Sequence, residues 1–204
     1  MKKSLATTVS WVAHPLLMPT FLFLLLQKFV PGILEPMGQR VTLYLLLLIF
    51  ITTFLIPVLS LLGLRGARSI SRISMEERKD RLLPFTFITI FYFITAYLFR
   101  VKLELNPVLQ IMLISISLIV LTVTIITFFW KISIHAAGAG GLAGFLLALA
   151  YLYPDHRIYL PFAGMLLLSG MIMSSRLKLN AHSPAQVYGG FMLGMAISFA
   201  SLLV

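Results

Sequence analysis

A chain of 204 residues with 60% apolar and 11% charged types is too apolar for a water-soluble fold, in which charged residues make up roughly 25%. Its mean hydropathy of +1.02 excludes intrinsic disorder, which requires low hydrophobicity. The net charge of +10 would suit nucleic acid, but 16 Lys and Arg set between long apolar runs fit the loops of an integral membrane protein better, and no nucleic-acid partner is expected. With no cysteine, disulfides, thiolate metal sites and a cysteine nucleophile are all excluded.

A bilayer span needs about 20 mostly apolar residues, and charged residues divide the chain into seven such windows: 4–27, 41–64, 82–99, 105–130, 132–154, 158–175 and 179–204. The expected fold is therefore all-α, a polytopic membrane bundle of six to seven transmembrane helices forming a single membrane domain over 1–204. Pro15 and Pro19 interrupt the first window and predict a kink or a re-entrant stretch there. Met1-Lys2-Lys3 has the charge of a signal-peptide start, but no small-residue cleavage site follows a short apolar core, so none is expected to be removed. The one substantial connection is 65–83, with Arg65, Arg68, Arg72, Arg78, Lys79 and Arg81.

Alternating the loops between the two ends of a seven-helix bundle puts 11 Lys and Arg at the end that holds the N-terminus and 5 at the other. Six of the eleven are also candidates for a functional site, and without them the ends are equal, so the positive-inside rule leaves sidedness open. That first end also collects three polar segments. Glu76-Glu77-Arg78-Lys79-Asp80-Arg81 leads into the third window, Lys131-Ile132-Ser133-Ile134-His135 opens the fifth, and Ser175-Arg176 through His182-Ser183-Pro184-Ala185-Gln186 leads into the seventh. Free N–H groups and the dipole at helix starts favour an anion, and the planar fork of arginine can hold two phosphate oxygens at once. The cluster thus reads as a pocket for a phosphate ester.

These segments carry a resemblance. Ser175-Arg176, five residues and His182 resemble the start of the third signature, S-R-x5-H-x3-D, of the type 2 phosphatidic acid phosphatase superfamily. Ser133-Ile134-His135 is similar to its P-S-G-H signature with proline and glycine replaced, and Arg78…Arg81…Pro84 is loosely similar to K-x6-R-P. The whole chain resembles a compact bacterial membrane branch placed near that superfamily, through His14-Pro15-Leu16-Leu17-Met18-Pro19, Phe129-Trp130-Lys131-Ile132-Ser133-Ile134-His135 and Leu179-Asn180-Ala181-His182-Ser183-Pro184-Ala185-Gln186-Val187-Tyr188. The resemblance implies a metal-independent lipid phosphate phosphatase in the bacterial cytoplasmic membrane. Its substrate would be a phospholipid or a polyprenyl phosphate. His182 would be the nucleophile, His135 the acid that protonates the leaving alcohol, and Arg176, Arg78 or Arg81, Ser133 and Lys131 the groups around the phosphoryl oxygens.

Gln186 stands where the signature has aspartate. Its carbonyl can accept a ring N–H and fix a tautomer, but it cannot offset the charge of a cationic imidazole. Weak turnover is expected, unless Glu76, Glu77 or Asp80 substitutes; a non-catalytic relative that binds lipid phosphate as a regulatory or assembly partner is the alternative. Ser183-Pro184-Ala185-Gln186 equally fits a helix capping box, and both roles can coexist. His14 reads as a packing or capping residue and His156 as solvated. No H-E-x-x-H pair occurs and acids are few, so neither metal nor other cofactor is expected. Gly140 and Gly144, and Gly190 and Gly194, are spaced for close helix packing that would bring His135 and His182 together.

Overall fold

A computed structural model describes residues 1–35, 37–67, 78–103, 105–153 and 156–203, with the backbone but not the side chain of Lys79. Among the described residues there are nine α-helices and no strand: α1 (Lys3–Val12), α2 (Met18–Phe29), α3 (Gln39–Phe50), α4 (Ile56–Gly66), α5 (Lys79–Lys102), α6 (Pro107–Thr127), α7 (Ile134–Leu152), α8 (His156–Lys178) and α9 (Pro184–Leu203). A 3-10 turn at Pro15–Leu17 separates α1 from α2, and a π-helical turn at Ile51–Leu55 joins α3 to α4. Among the described residues these helices make seven segments long and apolar enough to cross a membrane. Much of the basic loop falls outside the described residues, including Arg68, Arg72, Glu76 and Glu77.

The helix boundaries follow from local chemistry. The Asn106 side chain accepts the Val108 N–H at 2.9 Å, and Pro107 occupies the first position of α6, where no N–H is needed. Ser133 caps α7 by accepting the Ala136 N–H. Helix α8 runs to Lys178, three residues past its sequence window, and stops at Asn180, whose φ of 52° is left-handed. There Asn180 N–H bonds to the Leu177 carbonyl and Ala181 N–H to the Arg176 carbonyl, which satisfies two otherwise unpaired acceptors. Arg176 and Lys178 therefore sit in the last turn of α8, where the dipole favours cations, and not at a helix start.

Helix α7 is the centre of the bundle: 72% of its apolar window is buried, against 28% for the span Gln39–Gly66. Its partner α9 approaches so closely that side chains are excluded. A Cβ on Gly140 would lie 2.0 Å from the Phe191 carbonyl oxygen, and one on Gly194 would lie 2.0 Å from that of Ala137. Gly144 and Gly190 meet backbone oxygens of Met195 and Ser133 in the same way. The expected glycine faces thus do meet, and dispersion over this flat contact replaces the hydrophobic drive that lipid cannot supply.

Exposed aromatic residues mark two levels. Trp11, Phe129, Trp130 and Tyr188 surround the end where α7 and α9 begin, while Tyr44, Tyr97, Tyr151 and Tyr159 surround the other. Aromatic rings of this kind gather at membrane–water interfaces. The polar end described next therefore lies at headgroup level.

Candidate functional site

The turn into α9 fixes His182. The Ser183 hydroxyl accepts the Gln186 N–H at 3.4 Å and the Gln186 Oε1 accepts the Ser183 N–H at 3.2 Å, completing the capping box. The same Oε1 lies 3.2 Å from His182 Nδ1, and the Lys131 carbonyl oxygen lies 3.1 Å from it. Both of these oxygens are acceptors, and the Ser183 N–H independently identifies the Gln186 atom as oxygen. Nδ1 must therefore carry the proton, which leaves the lone pair on Nε2. Gln186 thus both closes the α9 cap and accepts the His182 ring N–H.

His182 is 8% exposed, and burial pushes its pKa down to about 4, helped by the positive charges of Arg81 and Arg176. The two carbonyl acceptors pull the other way. The ring is neutral at pH 7, with the tautomer a nitrogen nucleophile needs.

Four helix ends bring the rest of the cluster around it. Ser133 N–H bonds to the Gln186 carbonyl at 3.1 Å, which ties the start of α7 to the start of α9. His135 lies in the first turn of α7, and its Nε2 donates to the Ser10 carbonyl at 3.3 Å. Because a carbonyl only accepts, Nε2 holds the proton of the neutral ring and Nδ1 its lone pair. Arg176 reaches from the end of α8 and donates from Nη1 to the Ser10 hydroxyl at 3.3 Å, while its Nε is buried without a partner. Arg81, in the first turn of α5 and 6% exposed, points Nη1 at the Ile132 carbonyl at 3.5 Å. Arg176 lies within electrostatic reach of His14, Arg81, His135 and His182.

Three residues assigned to the phosphate from sequence have other work. Arg78 donates to the carbonyls of Thr127, at 3.4 Å, and Phe128, so it caps the free carbonyls at the end of α6. Ser133 is fully buried and its oxygen is the α7 cap. Lys131 serves His182 through its main-chain oxygen. Of the three acids considered as substitutes for the signature aspartate, Glu76 and Glu77 lie outside the described residues, and Asp80 sits in the first turn of α5.

Two residues were missed. His14 does cap the 3-10 turn, accepting the Leu16 N–H at 3.3 Å, but its ring also meets the His135 ring edge-on with centroids 5.7 Å apart. Ser10 contributes its carbonyl to His135 and its hydroxyl to Arg176. The signal was present in Pro15: breaking the first span at Ala13–His14 lets both residues fold in at the level of α7's first turn. Among the described residues no group of three His, Asp or Glu could hold a metal ion.

A buried and a half-buried arginine beside three histidines make an arrangement whose positive charge is suited to an anion. Compared with protein-family models, with curated proteins and with solved structures, the chain matches none.

Proposed function

We propose that this protein is a membrane phosphatase-like hydrolase that removes the phosphoryl group of a phosphorylated lipid, a phospholipid or a polyprenyl phosphate, in the bacterial cytoplasmic membrane. The observation that carries the reading is His182: a buried, neutral imidazole with Nδ1–H held by two oxygens, Nε2 free, and the cations of Arg81 and Arg176 beside it. The resemblance of Ser175-Arg176…His182 to the third phosphatidic acid phosphatase signature supports the same roles.

In this reading Nε2 of His182 attacks phosphorus, the P–O bond to the lipid alcohol breaks, and the alkoxide takes a proton from His135. His135, neutral in the free site, takes up that proton on Nδ1 together with the negative charge of the bound phosphate, because Nε2–H is committed to Ser10. Water then attacks the phosphohistidine, His135 takes its proton, and phosphate leaves with His182 neutral again. Arg81 and Arg176 hold the non-bridging oxygens as charge shifts among them, so fixed cations supply the electrostatic stabilisation that the reaction needs.

A second reading rests on Gln186. Glutamine and a main-chain carbonyl orient His182 without offsetting the positive charge of its phosphorylated form, as befits a relative that binds lipid phosphate without turning it over. Phosphate release from a panel of lipid phosphates decides between them. Hydrolysis lost in both His182→Ala and His135→Ala supports the enzyme. Binding without release, unchanged by Gln186→Asp, supports the second reading.

A further inference from the structure

Ser10 touches two groups of the cluster at once: its carbonyl accepts the His135 Nε2–H and its hydroxyl accepts an Arg176 Nη1–H, each at 3.3 Å. The first contact depends on how α1 ends. In a continuous helix the Ser10 carbonyl would accept the N–H of His14, four residues on. Pro15 disfavours helical backbone at the residue before it, and His14 is extended, with φ −63° and ψ 135°. Helix α1 accordingly closes at Val12, with the Ala13 N–H bonded to the Val9 carbonyl at 2.9 Å. The Ser10 carbonyl is one of the acceptors that a helix end leaves over, and His135 takes it up.

The hydroxyl is turned toward the cluster as well. On the same helix Thr7 and Thr8 donate to the carbonyls four residues back, at 3.1 and 3.2 Å. The buried Ser115, Ser117, Ser169 and Ser175 do likewise on α6 and α8. Ser10, 7% exposed, makes no such bond among the described residues and reaches across to Arg176.

What this leaves on Arg176 is specific. Its Nη1 is spent on Ser10, its Nε is buried without a partner, and its Nη2 has no protein acceptor among the described residues. Nε and Nη2 lie side by side on one edge of the guanidinium plane, and such an edge can hold two phosphate oxygens at once. A buried N–H is costly while it lacks an acceptor, and a phosphoryl group arriving at that edge supplies one.

From this we infer that Ser10 is a positioning residue of the phosphate site: it holds Arg176 by Nη1 so that the Nε–Nη2 edge receives two non-bridging oxygens, and it keeps the proton of His135 on Nε2. One residue of α1 thereby orients side chains from α7 and α8. The inference rests on the proposed function for the identity of the ligand.

The test is a double-mutant cycle on the full-length protein in detergent. It is read by calorimetric binding of dodecylphosphonate and by phosphate release from phosphatidic acid. The phosphonate has the headgroup charge of a lipid phosphate but a P–C bond in place of the ester, so it reports the site without turnover. Ser10→Ala is expected to weaken phosphonate binding about 10-fold, the scale of one hydrogen bond to a charged group. Ser10→Thr, which keeps the hydroxyl, restores binding. Thr8→Ala, which removes a hydroxyl spent on the Ser4 carbonyl, changes nothing. In the Arg176→Gln background Ser10→Ala has no further effect, because the hydroxyl acts only through that guanidinium. Unchanged binding in Ser10→Ala, or a loss of the same size with and without Arg176, overturns the inference. Coupled losses in phosphonate binding without phosphate release uphold the role of Ser10 and remove the catalytic reading; release that ignores Ser10→Ala does the reverse. A protein that neither binds the phosphonate nor releases phosphate overturns both.

Discussion

The two faces of α7 put the same residue type to opposite uses. On one, Gly140 and Gly144 bring α7 onto α9 until backbone meets backbone, and a Cβ there would collide with carbonyl oxygens at 2.0 and 2.4 Å. On the other, a Cβ on Gly138 would meet first the flexible Met18 Cγ at 3.1 Å, and the glycine makes room beside an apolar cleft. A small residue facing backbone fixes how near two helices stand. A small residue facing side-chain ends shapes a crevice. The first face holds the starts of α7 and α9 together, and with them His182; the second leads away from the cluster into the membrane.

Breaking the closed face has the largest expected effect. Gly140→Ala forces α9 away from α7, and overpacking with no flexible neighbour to yield costs roughly 3 kcal/mol or more. Thermal unfolding of the detergent-solubilised protein should shift accordingly, and phosphate release should fall with it because the Ser133–Gln186 bond is disturbed. Arg176→Gln is the next largest: it leaves the helix contact intact but removes a cation from the cluster, with an expected loss of roughly 10²-fold in phosphate release, the low end for one stabilising group. An unchanged rate would take Arg176 out of the phosphate site.

The charge state of His182 sharpens the comparison without disturbing either face. Its pKa is lowered from 6.5 to about 4, so the folded protein takes up this proton less readily than the unfolded chain. The stability tied to a neutral His182 is complete above pH 6.5 and is lost as the pH falls from 6.5 through 4. An NMR titration of the ring, assigned through His182→Ala, should show a midpoint near 4, rising in Arg176→Gln. A midpoint at 6.5 would place the ring in water. The smallest effect belongs to the open face: Gly138→Ala should change unfolding by less than about 1 kcal/mol, since the added methyl is tight only against Met18 Cγ, at 3.1 Å, with Pro15 at ordinary contact distance, and a helix gains about as much from replacing glycine.

Much of this fold could be read from the chain because charge and lipid do not mix. Charged residues had to fall between spans, so the seven windows matched the seven helical segments to within a few residues. Ser183…Gln186 was legible as a cap because capping needs only local spacing, and the glycine pairs because four residues is one helical turn. Three features were not legible. The Lys131 carbonyl is main chain, which every residue possesses, so nothing in the sequence marks it as the acceptor for His182. Ser10 and His14 join the cluster only because the first span breaks beside them, and the direction of a break is a tertiary property. Arg78 resembled a phosphate ligand by its neighbours, but capping the end of α6 uses the same guanidinium geometry.

The most direct test of the account is to trap the intermediate. Purified protein is mixed briefly with a lipid phosphate carrying labelled phosphorus, quenched in base, and mapped by mass spectrometry, with the nitrogen identified by ³¹P NMR. The account predicts an acid-labile, base-stable phosphohistidine at His182, bonded through Nε2 because Nδ1 donates to Lys131 and Gln186, and absent from His182→Ala. Phosphate release without label on His182, or label on Nδ1, would contradict it.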